Sequence, residues 1–508
     1  MAIAMIPKTM STQHPDNAKM PAWASEKSMI RNDDEVEEAY QCYTIGIKEV
    51  MWDAEGKDVD THVLRKLISK NHEFFEKNVL GSDIFLTYRV PNPAIEGTER
   101  KVLTETLESI PVNYDVFNTV YKRDIPPIFE VILPFTTSSK DLLNIAKYYE
   151  KAVAARDEIE LYDNVMVKNI LGETKPKKIN IIPLIEDKDS MFNIDGIVKN
   201  FARAVSAKKM RVFIARSDPA MNYGMIPAVL MSKYAASRLC KMNDDIENYP
   251  IVGVGSSTFR GRFSPENIEK SLYEYSNYYT FTLQSAFKYD YPQDSVKNSI
   301  NIINRHERSF DYLEDYEEEI IKNAVNKYVI NYQKIIEKLA PAINNITMYL
   351  PKRRSRKLHI GLFGYSRSTG NVTLPRAISF VGAMYSMGLP PEIIGISSLL
   401  NMKDDELDII EKTYINLRSD IMESSSYLNY EVFDALKDVY KIDQETINMI
   451  KADVKYIENN YGIKSDLGYE RERHNYLSSL MNLAFKNHDF ENTRKYILDM
   501  ALIRKFIG

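Results

Sequence analysis

The chain has 508 residues, 44% hydrophobic and 27% charged, which allows a large buried core and excludes global disorder. A net charge of -5 excludes a general nucleic-acid binder built on a broad basic face. Only two cysteines occur, Cys42 and Cys240; far apart and without metal-ligand spacing, they exclude a disulfide framework and suit a reducing cytosol.

In chain order, "MAIAMIPKTM" is apolar but too short for a signal segment, and no cleavage site follows. Residues 1–42 read as an N-terminal arm carrying "STQHPDN" (11–17) ahead of any packed element. Pro15 restricts His14 to an extended backbone, giving either a surface turn or a positioned imidazole.

Short β-branched or apolar runs then recur at "YTIGIKEVMW" (43–52), "DIFLTYRV" (83–90), "PIFEVILPF" (127–135) and "INIIPLIE" (179–186). Four more follow at "MRVFIARS" (210–217), "PIVGVGSS" (250–257), "KLHIGLFG" (357–364) and "EIIGISS" (392–398). Their length and composition predict buried strands, and most intervening segments carry apolar residues at helical spacing. Alternating strand and helix implies a parallel sheet. Eight such units predict an α/β fold, a (β/α)8 barrel of the TIM type over 43–400.

Two regions exceed a minimal barrel. A helical insertion at about 264–350 places Val325, Tyr328, Val329, Tyr332, Ile336 and Leu339 on one face. Residues 401–508 form a C-terminal helical region with Ile447, Ile450, Val454 and Ile457 at helical spacing, expected to pack on the barrel or on another subunit. The longest charge-free apolar stretch, 377–391, is shorter than a membrane span, so a soluble cytoplasmic protein with no membrane segment is expected.

Such barrels carry function at the C-terminal strand ends. Those ends read Asp53, Arg89, "TTSS" (136–139), Glu186, "RSDP" (216–219), "STFRGR" (257–262), "YSRS" (365–368) and Ser397–Ser398. Glu186, with Asp187 and Asp189 beside it, and Asp218 on the next strand are hard oxygen donors of the kind Mg2+ or Mn2+ takes. Either segment alone also reads as an ordinary polar loop. Arg260, Arg262, Arg367 and Arg376 lie in glycine-containing loops where planar guanidinium groups and backbone N–H groups suit phosphate or carboxylate; structural ion pairing is the other reading. Together, a cation and several arginines fit a small, multiply anionic substrate.

Other chemistries lack their signatures. There is no Walker loop, no dinucleotide fingerprint after the first strand, and no His–Asp arrangement near Ser366 or Ser368. The runs "KPKK" (175–178) and "KRRSRK" (352–357) precede predicted strands, and we expect them at the opposite face of the barrel as solvated or subunit-contacting surface.

The segments resemble phosphoenolpyruvate carboxylases, specifically the short archaeal-type branch. "STQHPDN" resembles that branch's histidine motif, "PLIED" its glutamate-ligand segment, and "VFIARSDPAMNYG" the "GYSDSxKDAG" segment of the long enzymes that supplies an aspartate. "FRGR" resembles the start of the "FHGRGG" loop, "SRSTGNVTLPRAI" the "SRP…SLRAIPW" segment, and "GLPPEIIG" its "LPAWLG" continuation.

The resemblance implies irreversible carboxylation of phosphoenolpyruvate by bicarbonate to oxaloacetate and phosphate, through carboxyphosphate and a metal-stabilised pyruvate enolate. It implies that Glu186 and Asp218 hold Mg2+ or Mn2+, and that Arg89, Arg262, Arg367 and Arg376 bind phosphate, carboxylate and bicarbonate. His14 is implied as base of the second half-reaction, with Arg260, Arg262 and Arg367 as further catalytic groups. It also implies a homotetramer, no biotin and no nucleic-acid partner. Departures are Arg260 where the long enzymes have histidine, Met221 where they have lysine, and "FSPEN" (263–267), which lacks a further arginine. The long enzymes' effector site is therefore not carried over. Gly508 resembles the family's terminal glycine.

Two other readings stand beside this one. Another Mg2+-dependent enolate barrel, of the malyl or citramalyl lyase or pyruvate aldolase type, needs no phosphate site. A helical scaffold using its basic runs to bind RNA needs no divalent cation and has a steep salt dependence.

Overall fold

The computed structural model describes residues 5–31, 33–54, 62–97, 99–354, 368–369, 372–462 and 468–508. Eight parallel strands close into a barrel: β1 (Thr9–Ser11), β2 (Glu49–Asp53), β3 (Phe85–Arg89), β4 (Glu130–Leu133), β5 (Asn180–Ile185), β6 (Lys209–Ala215), β7 (Glu247–Gly253) and β8 (Thr280–Leu283). Each pairs with its neighbours in sequence, and β1 pairs with both β2 and β8 to complete the ring.

The two-residue period of a strand sorts side chains between inside and outside. Val50, Trp52, Val131, Ile181, Val212 and Ile214 face the surrounding helices in the main core. Met10, Met51, Ile132, Ile182, Leu184, Phe213, Ala215 and Ile251 form a separate apolar layer inside the barrel. One step toward the N-terminal ends, the same period puts Glu49, Thr87, Glu130, Asn180 and Arg211 inside. The Arg211 guanidinium donates to both Glu49 oxygens at 2.8 and 2.6 Å and to Glu130 at 2.9 Å. Buried charges persist only when paired in this way, so the floor of the barrel is closed by an ion network.

Helix Asp315–Thr347 lays its predicted apolar face on the barrel, with Val325, Tyr328, Val329, Tyr332, Ile336 and Leu339 all buried. Its tyrosines find acceptors: Tyr328 donates to Ile394 O and Tyr332 to Met221 O, both at 2.8 Å. In helix Gln444–Asn460 the stripe Ile447, Ile450, Val454 and Ile457 is likewise buried. Among the described residues no helix is long and apolar enough to cross a membrane.

The barrel closes differently from the expected strand list. Residues 392–398 form no strand; 3-10 turns at Pro391–Ile393 and Ile396–Asn401 take their place. Pro390 and Pro391 lack ladder donors, Gly395 has φ +84°, and Asp453 accepts from Gly395 N and Ser397 N at 2.8 Å each. The strand expected at 357–364 lies outside the described residues. Closure comes instead from β1, inside the expected arm, and β8, inside the expected helical insertion. The first half of the run 43–52 ends a helix at Thr44 and turns at Gly46, φ +98°, before β2 begins.

Candidate active site

The C-terminal strand ends surround a cavity of about 750 Å³. Strand period selects which side chains reach it. Arg89 lies two residues beyond inward-facing Thr87, and Glu186 two beyond Leu184, so both point inward at the mouth and line the cavity. Asp53, two beyond Met51, is the register partner of Arg89, and the pair is bidentate: Nε to Oδ1 at 3.0 Å and Nη2 to Oδ2 at 2.8 Å. A fork held at both teeth fixes the plane of the Arg89 guanidinium beside the cavity.

Glu186 lines the cavity while its Oε2 accepts from the Phe135 backbone N–H at 2.9 Å. Asp218 reaches the same cavity from the first turn of helix Ser217–Tyr223, which follows β6. Two carboxylates from neighbouring strand ends thus face one space. Among the described residues no cluster of three or more His, Cys, Asp or Glu forms a ready-made metal cage. Two carboxylates nevertheless fit Mg2+ or Mn2+, since such ions keep several waters and take remaining donors from substrate.

His14 stands three residues past β1, at a strand end. Its backbone oxygen accepts from Asp16 N and Ser285 N, and Nδ1 lies 2.9 Å from Thr12 Oγ1. The expected arm therefore holds the first strand and the strand-to-helix loop after it, and His14 lines the cavity.

Arg260 is 1% exposed and forms the hub of the mouth. It donates to Ser217 Oγ at 3.1 Å, Asp16 Oδ2 at 3.2 Å and Gly508 O at 2.6 Å, and also to Gln284 Oε1. These bonds occupy four of the five guanidinium N–H groups, leaving one for a ligand. Burial raises the Asp16 carboxyl above its usual value, opposed by Arg260 and by the Ala286 N–H. Arg376, at the N-cap of helix Ala377–Met387, completes the cationic wall.

Two sets of arginines lie elsewhere than their sequence context suggests. Arg262 does not line the cavity. Gly261 at φ +117° and Arg262 at φ +51° turn the chain, and the Arg262 side chain binds Asp420 at 3.1 Å and Glu423 at 3.4 Å on helix Leu417–Ser425. In "KRRSRK" Lys352 is exposed, but the two arginines after it are not solvated surface at the far face. Arg353 and Arg354 are buried and line the cavity. Arg353 donates to Asn17 O at 3.1 Å and to Ala18 O, while Arg354 pairs with Glu38. Arg367 lies outside the described residues.

Long-range partners explain what sequence reading missed. Asp16, Gln284 and Gly508 converge on Arg260 from distant segments, and no local pattern marks them as a group. The 392–398 segment contributes buried Glu392, whose Oε1 accepts from Phe259 N at 2.7 Å and fixes the turn that carries Arg260. Burial pushes the Glu392 carboxyl up to about 7, opposed by the Tyr385 hydroxyl and the Phe259 N–H.

A closed parallel barrel with carboxylates, arginines and a histidine around one mouth defines an α/β-barrel enzyme site for a small anionic substrate. Residues 6–508 match the family model described as "Phosphoenolpyruvate carboxylase". Curated relatives of that name are 50% identical over 508 residues in Metallosphaera sedula, covering 99% of each chain, and 46% identical over 512 residues in Caldivirga maquilingensis, covering 99% of this chain and 100% of the relative. A third, from Methanothermobacter thermautotrophicus, is 40% identical over 506 residues, covering 99% and 100%. The chain belongs to the phosphoenolpyruvate carboxylase family, in its archaeal-type branch. Among solved structures, an HpcH/HpaI aldolase/citrate lyase family protein from Burkholderia cenocepacia matches with TM-score 0.32 and 12% identity, covering 55% of this chain and 88% of that one.

Proposed function

We propose that this cavity carboxylates phosphoenolpyruvate with bicarbonate, giving oxaloacetate and inorganic phosphate, with Glu186 and Asp218 as ligands of Mg2+ or Mn2+. The observation that carries the reading is one cavity shared by Glu186, Asp218, Arg89, Arg260, Arg376 and His14. When bound, a divalent cation supplies positive charge against the anionic oxygens of the substrates.

The chain's own groups do the rest. Arg89 and Arg376 hold phosphate and carboxylate oxygens; Arg89 is pre-aligned by Asp53, so little reorganisation accompanies binding. A bicarbonate oxygen attacks phosphorus and the bond from phosphorus to the enol oxygen breaks, leaving carboxyphosphate and the pyruvate enolate. His14 takes the carboxyphosphate proton, CO2 and phosphate separate, and the enolate carbon attacks CO2. Arg260 spends most of its donors on Asp16, Gln284 and Gly508, so its part is to fix the wall and offer one N–H to an anion.

A cytoplasmic homotetramer belongs to the same reading. Free Cys42 and Cys240 support a reducing compartment, and the exposed stripe Tyr476, Leu480 and Leu483 on helix Tyr469–Lys486 supports a subunit contact. The deciding experiment is a coupled oxaloacetate assay with bicarbonate omitted and restored while phosphate is measured in parallel. Oxaloacetate and phosphate must both require phosphoenolpyruvate and bicarbonate; oxaloacetate formed without bicarbonate, or without release of phosphate, would overturn the assignment.

A further inference from the structure

Asn92 lies in the loop after β3, three residues beyond Arg89, and is 1% exposed. Its side-chain amide donates to two backbone oxygens of the loop after β4, Pro134 O at 2.9 Å and Phe135 O at 3.2 Å. Its Oδ1 accepts from Ala94 N at 3.0 Å, which fixes the orientation of the amide. The Asn92 backbone is itself tied, donating to Glu96 Oε2 at 3.2 Å and accepting from Ile95 N and Glu96 N. Asn92 is therefore a rigid post between two catalytic-end loops.

The residue it clamps is strained. Phe135 has φ +50°, a left-handed conformation rarely adopted by a bulky L residue. Such a conformation persists only where the surroundings over-determine it. Here Thr136 N donates to Leu184 O at 3.1 Å and Thr136 Oγ1 to Leu133 O at 2.8 Å, while Asn92 holds the carbonyls of Pro134 and Phe135. The product of this restraint is the Phe135 N–H directed at Glu186 Oε2.

We infer that Asn92 is a positioning residue for Glu186, acting through the Phe135 backbone to fix the carboxylate that faces the cavity. This rests on the reading of Glu186 as a cation ligand. Groups that orient a metal ligand from behind typically change metal affinity by about 10- to 100-fold when removed. Asn92 therefore sets the affinity of the site for a divalent cation while touching neither cation nor substrate.

The test uses the full chain and Mn2+ as the probe. Asn92→Asp keeps the size of the side chain but removes both donors, and Asn92→Ala removes the group altogether. Free Mn2+ is titrated by electron paramagnetic resonance for wild type, both variants and Glu186→Gln, alongside thermal melts and Mg2+ titrations of kcat. The Mn2+ dissociation constant is expected to rise about 10- to 100-fold in both Asn92 variants. Cooperative melting should be kept, and excess Mg2+ should recover most of kcat. If an Asn92 variant fails to fold, Asn92→Ser, which retains one donor, carries the same measurement. Unchanged Mn2+ affinity in the Asn92 variants, with affinity lost in Glu186→Gln, overturns the role of Asn92 alone. Unchanged affinity in Glu186→Gln as well overturns the ligand assignment beneath it.

Discussion

Arg260 donates to the backbone oxygen of Gly508 at 2.6 Å, joining residues 248 positions apart at the mouth of the barrel. The contact leaves no room for a larger residue: a Cβ on Gly508 would stand 2.0 Å from Ile378 O and 2.6 Å from Gly382 N. Gly508→Ala should therefore push this end of the chain out and release Arg260 from one of its anchors. We expect kcat/KM to fall about 10- to 100-fold, the equivalent of one lost charge-assisted hydrogen bond of about 1.5–3 kcal/mol. Steady-state kinetics beside a thermal melt checks this; near-normal kcat/KM would show that the Gly508 contact is dispensable.

Arg376 and Arg262 should behave differently although both come from arginine-bearing motif segments. Arg376 lines the cavity, so Arg376→Ala is expected to lower kcat/KM for phosphoenolpyruvate about 10- to 100-fold. Arg262 instead ties Asp420 and Glu423, so Arg262→Ala should lower the melting temperature and leave the KM for phosphoenolpyruvate near that of the wild type. Kinetics and melts of the two variants separate these outcomes.

In the proposed mechanism His14 serves the second half-reaction, where general-base help is typically worth about 10²–10⁴-fold. His14→Asn keeps a polar side chain but cannot take the proton. Oxaloacetate formation should fall more than bicarbonate-dependent phosphate release, and pyruvate should appear as the stranded enolate is protonated. Quantifying all three products in one reaction decides it; a proportional fall in all three would move His14 to the first step.

The pH dependence of stability should show the buried Glu38 cluster. Burial opposes the Glu38 carboxylate, but Arg354 and Lys288 outweigh it, and the value is held down at about 2. Lys288 Nζ lies 3.0 Å from Oε1, and the Tyr289 hydroxyl donates to the same oxygen at 2.7 Å. A folded value below the unfolded one, about 4.3, gives stabilisation that is complete above it and is lost as pH falls toward the folded value. Glu38→Gln should cost about 3 kcal/mol at neutral pH, because buried Lys288 loses its carboxylate and Arg354 keeps only Glu35, at 3.6 Å. The gap from wild type should close in acid, as read by urea unfolding across pH; a constant gap would mean that packing, not charge, is lost.

Much of this protein was legible in local pattern. Runs around Trp52, Leu86, Val131, Ile182, Phe213 and Ile251 become barrel strands, because a buried parallel strand needs apolar residues on both faces over a short length. Once those strands are placed, a period of two carries Arg89 and Glu186 to the mouth without further information. Asp218 follows from its position in a short loop after a strand.

Tertiary structure decided what that period does not encode. β1 is three residues long, too short to register as a pattern, and becomes a strand only because β2 and β8 offer it ladder partners. Nothing local distinguishes Arg262 from Arg260: one turns toward Asp420 and Glu423, the other toward Asp16, Gln284 and Gly508. Arg353 and Arg354 read as solvated surface, yet they are buried because Asn17, Ala18 and Glu38 supply acceptors from distant segments. A strand is specified by its own residues, whereas the fate of a buried cation depends on which carboxylates and carbonyls the folded chain brings within reach. Desolvating a guanidinium is too costly without them.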